Sequence, residues 1–425
     1  LHRVDRRQRQ MCIRDRSNYA GVKGLEVAGN YENLVTIFQR AVSAYQYDPR
    51  FCIAPEACHV YDANGRETKV VLLGTTQFSQ LFINEAAGKV RIVAVVDDFK
   101  AGKMESFHGV PVISSDAFLK LARDTALISI NGCRYDHSRR YFKSLALRNN
   151  IPMLNFEQGL RLLSINPASD HRIDDWGSYI VAHAQELIAL GRRLDDDYSR
   201  FTLFSVLLGH LTCDPEWILN AAKPYLTLYF RSGLWLPDQN ERFADCGASI
   251  AESAKAFLDA TDGRFQKIWM IEPDEVNRAT IQSFISGYNG TLAPAQSGAI
   301  ELLGCALSNE DGQMPFLHEG GHGGHLLSAA TAQAICRDVD VRRLDSLLDD
   351  SPTLIKMDIE GAELQALQGA REHISRGRPK MAISAYHRSG DLLDITRFVE
   401  SVRGDYKIGL RHHTEERWDT CLYFY

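Results

Sequence analysis

The chain has 425 residues, of which 45% are hydrophobic and 24% are charged, and its formal net charge is −6. A chain of this length exceeds one ordinary hydrophobic core and is expected to form two or three domains. The acidic balance excludes the basic footprint typical of nucleic-acid-binding proteins. The longest apolar run, 201–211, is shorter than the roughly 18 residues of a membrane-spanning helix. Nine cysteines without a C-x-x-C pair favour reduced thiols in a cytoplasmic protein.

The N-terminal region divides into two parts. Residues 6–16 read R-R-Q-R-Q-M-C-I-R-D-R, and we expect 1–16 to be a non-native tail without a role in the fold. A disordered basic tail is the alternative. The region 17–65 is predicted to be helical, because apolar residues recur at helical spacing between 34 and 45.

Strands and helices alternate in the region 66–168. The predicted elements are strands at 69–74, 91–98 and 126–131 and a helix at 78–87. This spacing is typical of a small parallel sheet, and it predicts a Rossmann-like α/β domain. Apolar residues at helical spacing then predict a helical connector over 169–240.

The first α/β domain carries short motifs with an ambiguous meaning. D-D-F at 97–99 and H-G-V-P-V at 108–112 resemble the Rossmann-like domain that accompanies some sugar-modifying enzymes. A nicotinamide cofactor would lie at Gly74 and Asp97, which defines one alternative function, a nucleotide-sugar oxidoreductase. The later glycines of a dinucleotide fingerprint are missing after Gly74, and this argues against that function. A scaffold without a ligand is the other alternative.

The region 241–425 is predicted to form a second, larger α/β domain. The predicted strands are 242–246, 267–271, 299–307, 354–359, 380–386, 406–411 and 420–425. Only a short turn region separates the last two strands, so they are expected to form a hairpin. The result is a doubly wound sheet that is mostly parallel, with one antiparallel strand near the C-terminus.

The first strand-to-helix turn of this domain has features of a nucleoside site. Gly247 lets the backbone approach a ligand beside a helix N-terminus. Glu272 ends the next strand, where a carboxylate can accept both hydroxyls of an adenosine ribose. The turn lacks the later glycines that a pyrophosphate needs, and the acidic Glu252 opposes phosphate. These residues favour a sulfonium cofactor, S-adenosylmethionine, over a dinucleotide.

Three carboxylates follow the strand that begins near residue 354. Asp358 and Glu360 are predicted to point to the same side of that strand, because side chains alternate with a period of two. Glu363 falls in the first turn of the next helix, where a negative charge is favoured. In the alternative interpretation, Lys356 only neutralises Asp358 and Glu363 only caps the helix.

These motifs resemble one known family. D-C-G-A-S-I-A-E-S from 245, I-E-P-D-E-V-N from 271, L-I-K-M-D-I-E-G-A-E-L-Q-A-L-Q-G-A from 354, A-I-S-A-Y-H from 382 and L-R-H-H from 410 are similar to the FkbM family of S-adenosylmethionine-dependent O-methyltransferases. The resemblance covers roughly the last 190 residues. It implies a class I methyltransferase fold and methyl transfer to a hydroxyl, often of a sugar or a polyketide-like natural product.

The resemblance also implies a set of cofactor contacts. They are Asp245, Gly247, Ala248, Glu272, Pro273, Ala306 and Asp358. The chain departs from the family at Ala251, where a second glycine is usual, and this narrows the room beside the amino-acid end of the cofactor. A non-catalytic cofactor-binding protein is therefore a further alternative.

Methyl transfer is an in-line displacement that requires an aligned oxygen and removal of its proton. The candidates for the base are Asp358, Glu360 and His387. His387 is preferred because an unperturbed imidazole titrates near neutral pH. Glu363, His412 and His413 are predicted to contact the acceptor.

A histidine-rich and glycine-rich segment lies between two predicted strands. His318, His322 and His325 occur in H-E-G-G-H-G-G-H, which suggests a metal site, but glycines do not hold ligands rigidly. We therefore predict no metal and expect a loop that lines the acceptor pocket. The predicted partner is a small-molecule or glycan acceptor, without nucleic acid or membrane, and a homo-oligomer is left open.

Overall fold

The computed structural model describes residues 31–133, 136–165, 176–289, 299–318, 325–326 and 336–425. The predicted tail at 1–16 lies outside these residues. The chain forms two compact units. As far as they are described, the first comprises 39–177 and 208–214, and the second comprises 31–38, 178–207 and 215–425. The domain boundaries predicted from the sequence stay predictions.

The described part of the chain begins with helix α1 (Tyr31–Tyr47), as the apolar spacing predicted. The elements that follow, up to the end of the first α/β region, are α2 (Pro55–Asn64), β1 (Lys69–Leu73), α3 (Gln77–Glu85), β2 (Arg91–Val96), β3 (Ser106–Phe107), β4 (Val110–Ile113), α4 (Ser115–Asp124), β5 (Leu127–Asn131), α5 (Asp136–Arg148), β6 (Met153–Asn155) and α6 (Phe156–Leu162). Short 3₁₀ turns lie at Pro49–Cys52 and Gly65–Glu67.

The first unit contains a six-stranded sheet in the order β3-β4-β2-β1-β5-β6. All neighbouring pairs are parallel except β3 and β4. Strand β1 is buried except at Lys69, which agrees with a central position in the sheet. The small parallel sheet predicted from the alternating pattern is confirmed.

The turn after β1 is tightly packed. Gly74 has φ +94°, and a Cβ there would stand 2.5 Å from the Sγ of Cys133. The hydroxyl of Thr75 donates to Asp97, whose other carboxylate oxygen accepts from the backbone N–H of Phe99 at 3.1 Å. The Asp97 carboxylate, proposed as a contact for a nicotinamide cofactor, therefore already accepts hydrogen bonds from the turn after β1 and from the turn after β2.

Helices follow in the region predicted as a connector. They are α7 (Trp176–Ala182), α8 (Ala184–Arg193), α9 (Asp197–Thr212) and α10 (Pro215–Ala221), with a 3₁₀ turn at Tyr225–Thr227. Among the described residues, no helix has both the length and the apolar character needed to cross a membrane.

The remaining elements belong to the second unit. They are β7 (Arg242–Cys246), α11 (Glu252–Ala260), β8 (Lys267–Ile271), α12 (Glu275–Asn289), β9 (Ile300–Leu303), β10 (Ala306–Leu307), β11 (Gly312–Leu317), β12 (His325–Leu326), β13 (Arg337–Arg342), α13 (Leu344–Leu347), β14 (Leu354–Met357), α14 (Glu363–Gln368), α15 (Arg371–Gly377), β15 (Lys380–Ser384), α16 (Asp391–Val402), β16 (Ile408–His412) and β17 (Thr420–Phe424).

The main sheet of this unit has seven strands in the order β16-β17-β15-β14-β7-β8-β9. Strand β17 is antiparallel to both of its neighbours, and the other pairs are parallel. The prediction of a mostly parallel sheet with one antiparallel strand in a C-terminal hairpin is confirmed. Strands β7, β8 and β14 lie next to each other, so their carboxyl ends share one edge of the sheet.

An aromatic cluster fixes β7 against α11. The rings of Phe243 and Phe257 stack with centroids 4.6 Å apart, and Phe230 lies 5.3 Å and 5.6 Å from them, edge to face. All three side chains are fully buried. Such pairs stabilise the core beyond the burial of their area alone. The loop between β7 and α11 is therefore anchored at both ends by closely packed elements.

A second sheet was not predicted. It has four strands in the order β10-β13-β11-β12. The single strand predicted over 299–307 is wrong, because the chain breaks at Gly304 into β9, which joins the main sheet, and β10, which pairs with β13. A Cβ at Gly304 would meet the side chain of Arg278 at 3.3 Å.

Candidate active site

The loop after β7 passes over the end of β14. Gly247 has φ +81°, and a Cβ there would stand 1.9 Å from the carbonyl oxygen of Asp358. The N–H groups of Gly247 and Ala248 both donate to the carbonyl of Ile271, at 3.0 Å and 3.1 Å. Only glycine fits this position, since it combines a left-handed backbone with direct backbone contact. The predicted glycine turn is thus held between the ends of β8 and β14.

Glu272 connects this loop to the start of α12. Its carboxylate accepts from the backbone N–H of Ser249 at 2.8 Å and from that of Asp274 at 2.9 Å. The side chain is almost fully buried. Burial raises the pKa of Glu272 against the effect of these two hydrogen bonds. The structure thus brings Glu272 next to the turn at Gly247, as the sequence suggested.

Asp245 lies beneath the loop rather than on its surface. Its side chain is fully buried, accepts from the hydroxyl of Ser253 at 2.6 Å and lies 3.3 Å from the Nζ of Lys356. The same ammonium donates to the carbonyl of Gly247 at 2.6 Å. Burial raises the pKa of Asp245 although Lys356 opposes this effect. Lys356 therefore forms its ion pair with Asp245, and its charge also acts on Asp358, as the alternative interpretation expected.

The other residues predicted at the cofactor site are distributed around the loop. Ala248 is fully buried, and Pro273 is half-buried next to Glu272. Ala306 is buried on β10, in the four-stranded sheet. Ala251 precedes α11 with φ +71° and ψ +20°, a left-handed conformation that disfavours a residue with a Cβ.

The chain turns away from the sheet immediately after β14. The strand ends at Met357, and Glu360 has φ +57° and Gly361 φ +93°. The prediction that Asp358 and Glu360 point to one side as neighbours in a pleat is wrong, because Glu360 lies in a left-handed turn beyond the strand. The turn nevertheless brings both carboxylates to the same imidazole.

That imidazole belongs to His387, which follows β15. Its Nε2 lies 3.6 Å from an oxygen of Asp358 and 3.6 Å from one of Glu360, and its Nδ1 lies 3.0 Å from Glu363. The side chain is 1% exposed. Burial opposes protonation, but the three carboxylates, Glu363 foremost, raise the pKa of His387 to about 10. His387 therefore keeps its proton at neutral pH, and the preference for it as the base, which assumed an unperturbed pKa, is not supported.

Asp358 is surrounded by donors. It accepts from the phenol of Tyr229 at 2.8 Å and from that of Tyr386 at 3.3 Å. Burial would raise the pKa of Asp358, but His387, Lys356 and the Tyr229 hydroxyl together hold it below its usual value. The carboxylate is ionised at neutral pH and is a weak base. Nothing in the sequence pattern pointed to Tyr229 as a partner of Asp358.

Glu363 is fully buried beside His387 and has no exposed surface left for an acceptor. Its Oε1 accepts from the backbone N–H of Ile359 at 2.8 Å. Its Oε2 is buried without a hydrogen-bond partner among the described residues. Asp391 is also buried nearby, and burial, followed by the charge of Glu363, raises the pKa of Asp391 to about 7. Glu363 does more than cap a helix, because it fixes both the turn and the imidazole.

Asp358, Glu363 and His387 are the described residues that could share a cation, since each offers a ligand atom within 4.8 Å of the others. The protonated imidazole of His387 already provides a positive charge between the two carboxylates. His318 lies elsewhere, with its Nδ1 3.4 Å from a carboxylate oxygen of Asp274. His322 lies outside the described residues, and only the backbone of His325 is described. The acceptor-lining loop stays a prediction.

His412 and His413 lie inside the fold and not at an acceptor site. Both side chains are fully buried. His412 Nδ1 is 2.9 Å from the Thr420 hydroxyl, and His413 Nε2 is 2.9 Å from that of Tyr423. Burial lowers the pKa of His412 to about 4 and that of His413 to about 3. Neither imidazole therefore has exposed surface left for an acceptor.

Comparison with known proteins identifies the last domain. The methyltransferase FkbM domain matches residues 245–406. No curated protein is significantly similar. A methyltransferase FkbM from Methylobacillus flagellatus KT, a solved structure, is 41% identical with a TM-score of 0.84, over 93% of this chain and 100% of that one.

Two other solved structures are much less similar. A precorrin-6y C5,15-methyltransferase from Geobacter metallireducens GS-15 is 12% identical with a TM-score of 0.24, over 45% of this chain and 81% of that one. An rRNA methylase from Streptococcus thermophilus is 13% identical with a TM-score of 0.26, over 44% of this chain and 86% of that one. Neither supports an inference. The 41% identity over 93% of the chain and the seven-stranded sheet of a class I methyltransferase place this chain in the FkbM methyltransferase family.

Proposed function

We propose that this protein is an S-adenosylmethionine-dependent O-methyltransferase that acts on a hydroxyl of a sugar, a glycan or a related natural product. One contact carries the proposal. The hydrogen bond from Ser249 to Glu272 joins the glycine turn to the buried acid, at the same sheet edge that holds Asp358. In open α/β sheets, ligands bind at the carboxyl ends of the strands.

The residues at this edge fit the adenosine part of the cofactor. Each carboxylate oxygen of Glu272 accepts one short backbone hydrogen bond, and Oε1 also accepts a longer one from the side-chain amide of Asn277 at 3.5 Å. A carboxylate has about four acceptor positions, so Oε2 keeps one for a ribose hydroxyl. Gly247 presents bare backbone to the ligand, with Ala248 and Pro273 beside it. When bound, S-adenosylmethionine supplies a methyl group on a cationic sulfur.

The histidine and its carboxylates form the second part of the proposed site. His387 keeps its proton at neutral pH and orients Asp358 and Glu360 through its charge. Asp358 already accepts from two phenols, so we assign the acceptance of the hydroxyl proton to Glu360. A left-handed backbone at a non-glycine residue is typical of functional positions, and Glu360 has this conformation.

Calorimetric titration tests the cofactor. We expect S-adenosylmethionine and S-adenosylhomocysteine to bind the wild type, and Glu272→Gln to weaken binding about tenfold or more by leaving poorer acceptors for the ribose. Loss of one hydrogen bond to a charged group costs about 1.5–3 kcal/mol. Glu372→Gln, at an exposed glutamate of α15, is the control. A folded protein that binds neither ligand would exclude the proposal.

A panel of sugars, glycans and polyketide-like alcohols with methyl-labelled cofactor tests the reaction, with mass spectrometry of the products. We expect Glu360→Gln to lower kcat by about 10² to 10⁴, the usual contribution of a general base, with unchanged cofactor affinity. Cofactor binding without turnover on the whole panel would favour the non-catalytic alternative.

A further inference from the structure

The first unit contains a pair of cysteines that the proposed methyl transfer does not use. Cys52 is the last residue of the 3₁₀ turn Pro49–Cys52 and is partly exposed, whereas Cys213 follows α9 and is buried. They are 161 residues apart in sequence, so no spacing motif predicts their contact. The hydrogen bond between the two thiols lowers the pKa of Cys52 and raises the pKa of Cys213. Cys52 is therefore favoured as the thiolate and Cys213 as the thiol.

Helix α6 and its N-cap residue Asn155 hold both cysteine segments through three polar side chains at intervals of three residues. Asn155 donates its amide N–H to the carbonyl of Cys213, and Gln158 donates to the carbonyl of Cys52 at 3.3 Å. Arg161 places its Nη1 3.3 Å from the Sγ of Cys52. Residues three apart lie on one face of a helix, so one face of α6 fixes the two cysteines relative to each other.

The guanidinium of Arg161 also binds the segment that leads to Cys213. Its Nη1 donates to the carbonyl of Leu211, and its Nη2 donates to that of His210 at 2.9 Å. Cys213 itself has φ +51°, an uncommon conformation for a cysteine, which these contacts maintain. One cation thus contacts the Cys52 sulfur and the turn before Cys213.

This arrangement has the features of a reactive thiol. The hydrogen bond from Cys213 and the charge of Arg161 outweigh burial and lower the pKa of Cys52 to about 7. An ordinary thiol has a pKa of about 8.5, and only the thiolate is a nucleophile. Cys52 is therefore ionised to a larger extent at neutral pH than an ordinary thiol, with a second sulfur beside it.

We propose that Cys52 and Cys213 form a peroxide-oxidisable site, in which Cys52 reacts first and Cys213 closes a disulfide. The Cys52 thiolate attacks one oxygen of hydrogen peroxide. The O–O bond breaks, Cys52 becomes a sulfenic acid, and the departing hydroxide takes a proton to form water. The Cys213 thiol then attacks the Cys52 sulfur, the S–S bond forms, the S–O bond breaks, and the hydroxide leaves with the Cys213 proton as water. Two electrons pass from the two thiols to the peroxide.

Mass spectrometry tests this site. The whole chain is treated with hydrogen peroxide and digested without reduction, and its peptides are then analysed. We expect a cross-linked peptide pair that contains Cys52 and Cys213 and is released by dithiothreitol. In Cys213→Ser, dimedone should trap a sulfenic acid on Cys52. In Cys52→Ser, Cys213 should stay reduced because it is buried. Cys58→Ser, at a neighbouring partly exposed cysteine, should leave the cross-link unchanged.

The rate of iodoacetamide labelling of Cys52 gives a second readout that does not need peroxide. We expect labelling at pH 7 to be about fivefold to tenfold faster than at Cys58, and Arg161→Lys to reduce this ratio. Equal labelling of Cys52 and Cys58, or a wild type in which the Cys52 sulfenic acid persists without a cross-link, would overturn the proposal. Both readouts are independent of cofactor binding and methyl transfer.

Discussion

The carbonyl oxygen of Asp358 lies 1.9 Å from the point where a Cβ of residue 247 would stand. The loop after β7 and the turn after β14 are thus in backbone contact at Gly247. This contact places the proposed cofactor turn and the proposed catalytic carboxylates at one point of the sheet edge, because β7 and β14 are neighbours.

Gly247→Ala is expected to separate the two segments. The left-handed backbone alone costs alanine about 1–2 kcal/mol, and the contact with Asp358 must add to this because backbone atoms cannot move aside cheaply. Urea unfolding measures the decrease in the free energy of unfolding, and calorimetry measures cofactor affinity. Gly233→Ala is the matched control, since Gly233 also has positive φ but has open space around its Cβ position. Equal losses in both variants would show that the contact contributes nothing.

Ala251→Gly is expected to stabilise the protein, although glycine usually destabilises. Ala251 has φ +71°, where the Cβ is unfavourable, and relief of this strain should increase the free energy of unfolding by about 0.5–1 kcal/mol. Ala254→Gly, inside helix α11, should instead destabilise by about 1 kcal/mol. A loss of stability in Ala251→Gly would mean that the buried methyl group contributes more than its strain costs.

The charge of Glu363 is expected to control the titration of His387. The pKa of His387 is raised to about 10, with Glu363 as the strongest opposing partner to burial. The folded state therefore holds this proton more tightly than the unfolded state. The associated stability is fully present below about pH 6.5 and is lost as the pH rises through about 10.

Nuclear magnetic resonance of ¹³C-labelled histidine measures this pKa directly. In Glu363→Gln the pKa of His387 should fall by at least one unit, and the loss of stability between pH 7 and pH 10 should become smaller. Glu372→Gln, at an exposed glutamate of α15, should change neither. An unchanged pKa of His387 in Glu363→Gln would contradict the ion pair.

The buried histidines at the C-terminal hairpin are expected to make the fold acid-sensitive. Burial lowers the pKa of His412 to about 4 and that of His413 to about 3, so below pH 6.5 the unfolded state binds protons that the folded state does not. The free energy of unfolding should fall by up to about 1.4 kcal/mol per pH unit for each histidine near pH 5, and less steeply for His412 as the pH approaches 4.

Urea unfolding across this range checks the prediction. His413→Gln should reduce the acid slope by about one proton, because one of the two depressed groups is removed. His59→Gln, at an exposed histidine of α2, should leave the slope unchanged. A slope that does not change in His413→Gln would mean that other groups cause the acid sensitivity.

Local sequence patterns predicted the main elements well where a strand is a continuous apolar run or a helix has apolar residues at regular spacing. Strands β7 and β8 have the predicted bounds, because runs such as K-I-W-M-I contain almost only apolar residues that favour a buried strand. The four-stranded sheet was missed because its strands are short and partly exposed, as in β11 and β13. Their pairing depends on partners distant in the sequence.

The candidate site was located by sequence but not explained by it. Asp358, Glu360 and His387 were named from strand ends, and the structure brings all three together. Their protonation could not be predicted, since the pKa of His387 depends on Glu363 and on burial. Burial was equally hidden from the sequence at His412 and His413. The motif L-R-H-H made them look like site residues, but both are interior hydrogen-bonding groups.

By itself the sequence determined the family, the order of most strands of the main sheet, and the position of the glycine turn and the acids, because these depend on local spacing and residue type. Tertiary structure alone decided that Lys356 pairs with Asp245, that Tyr229 donates to Asp358, and that Cys52 meets Cys213. Charges and thiols respond to neighbours within a few ångströms, and the fold brings those neighbours together from positions more than a hundred residues apart.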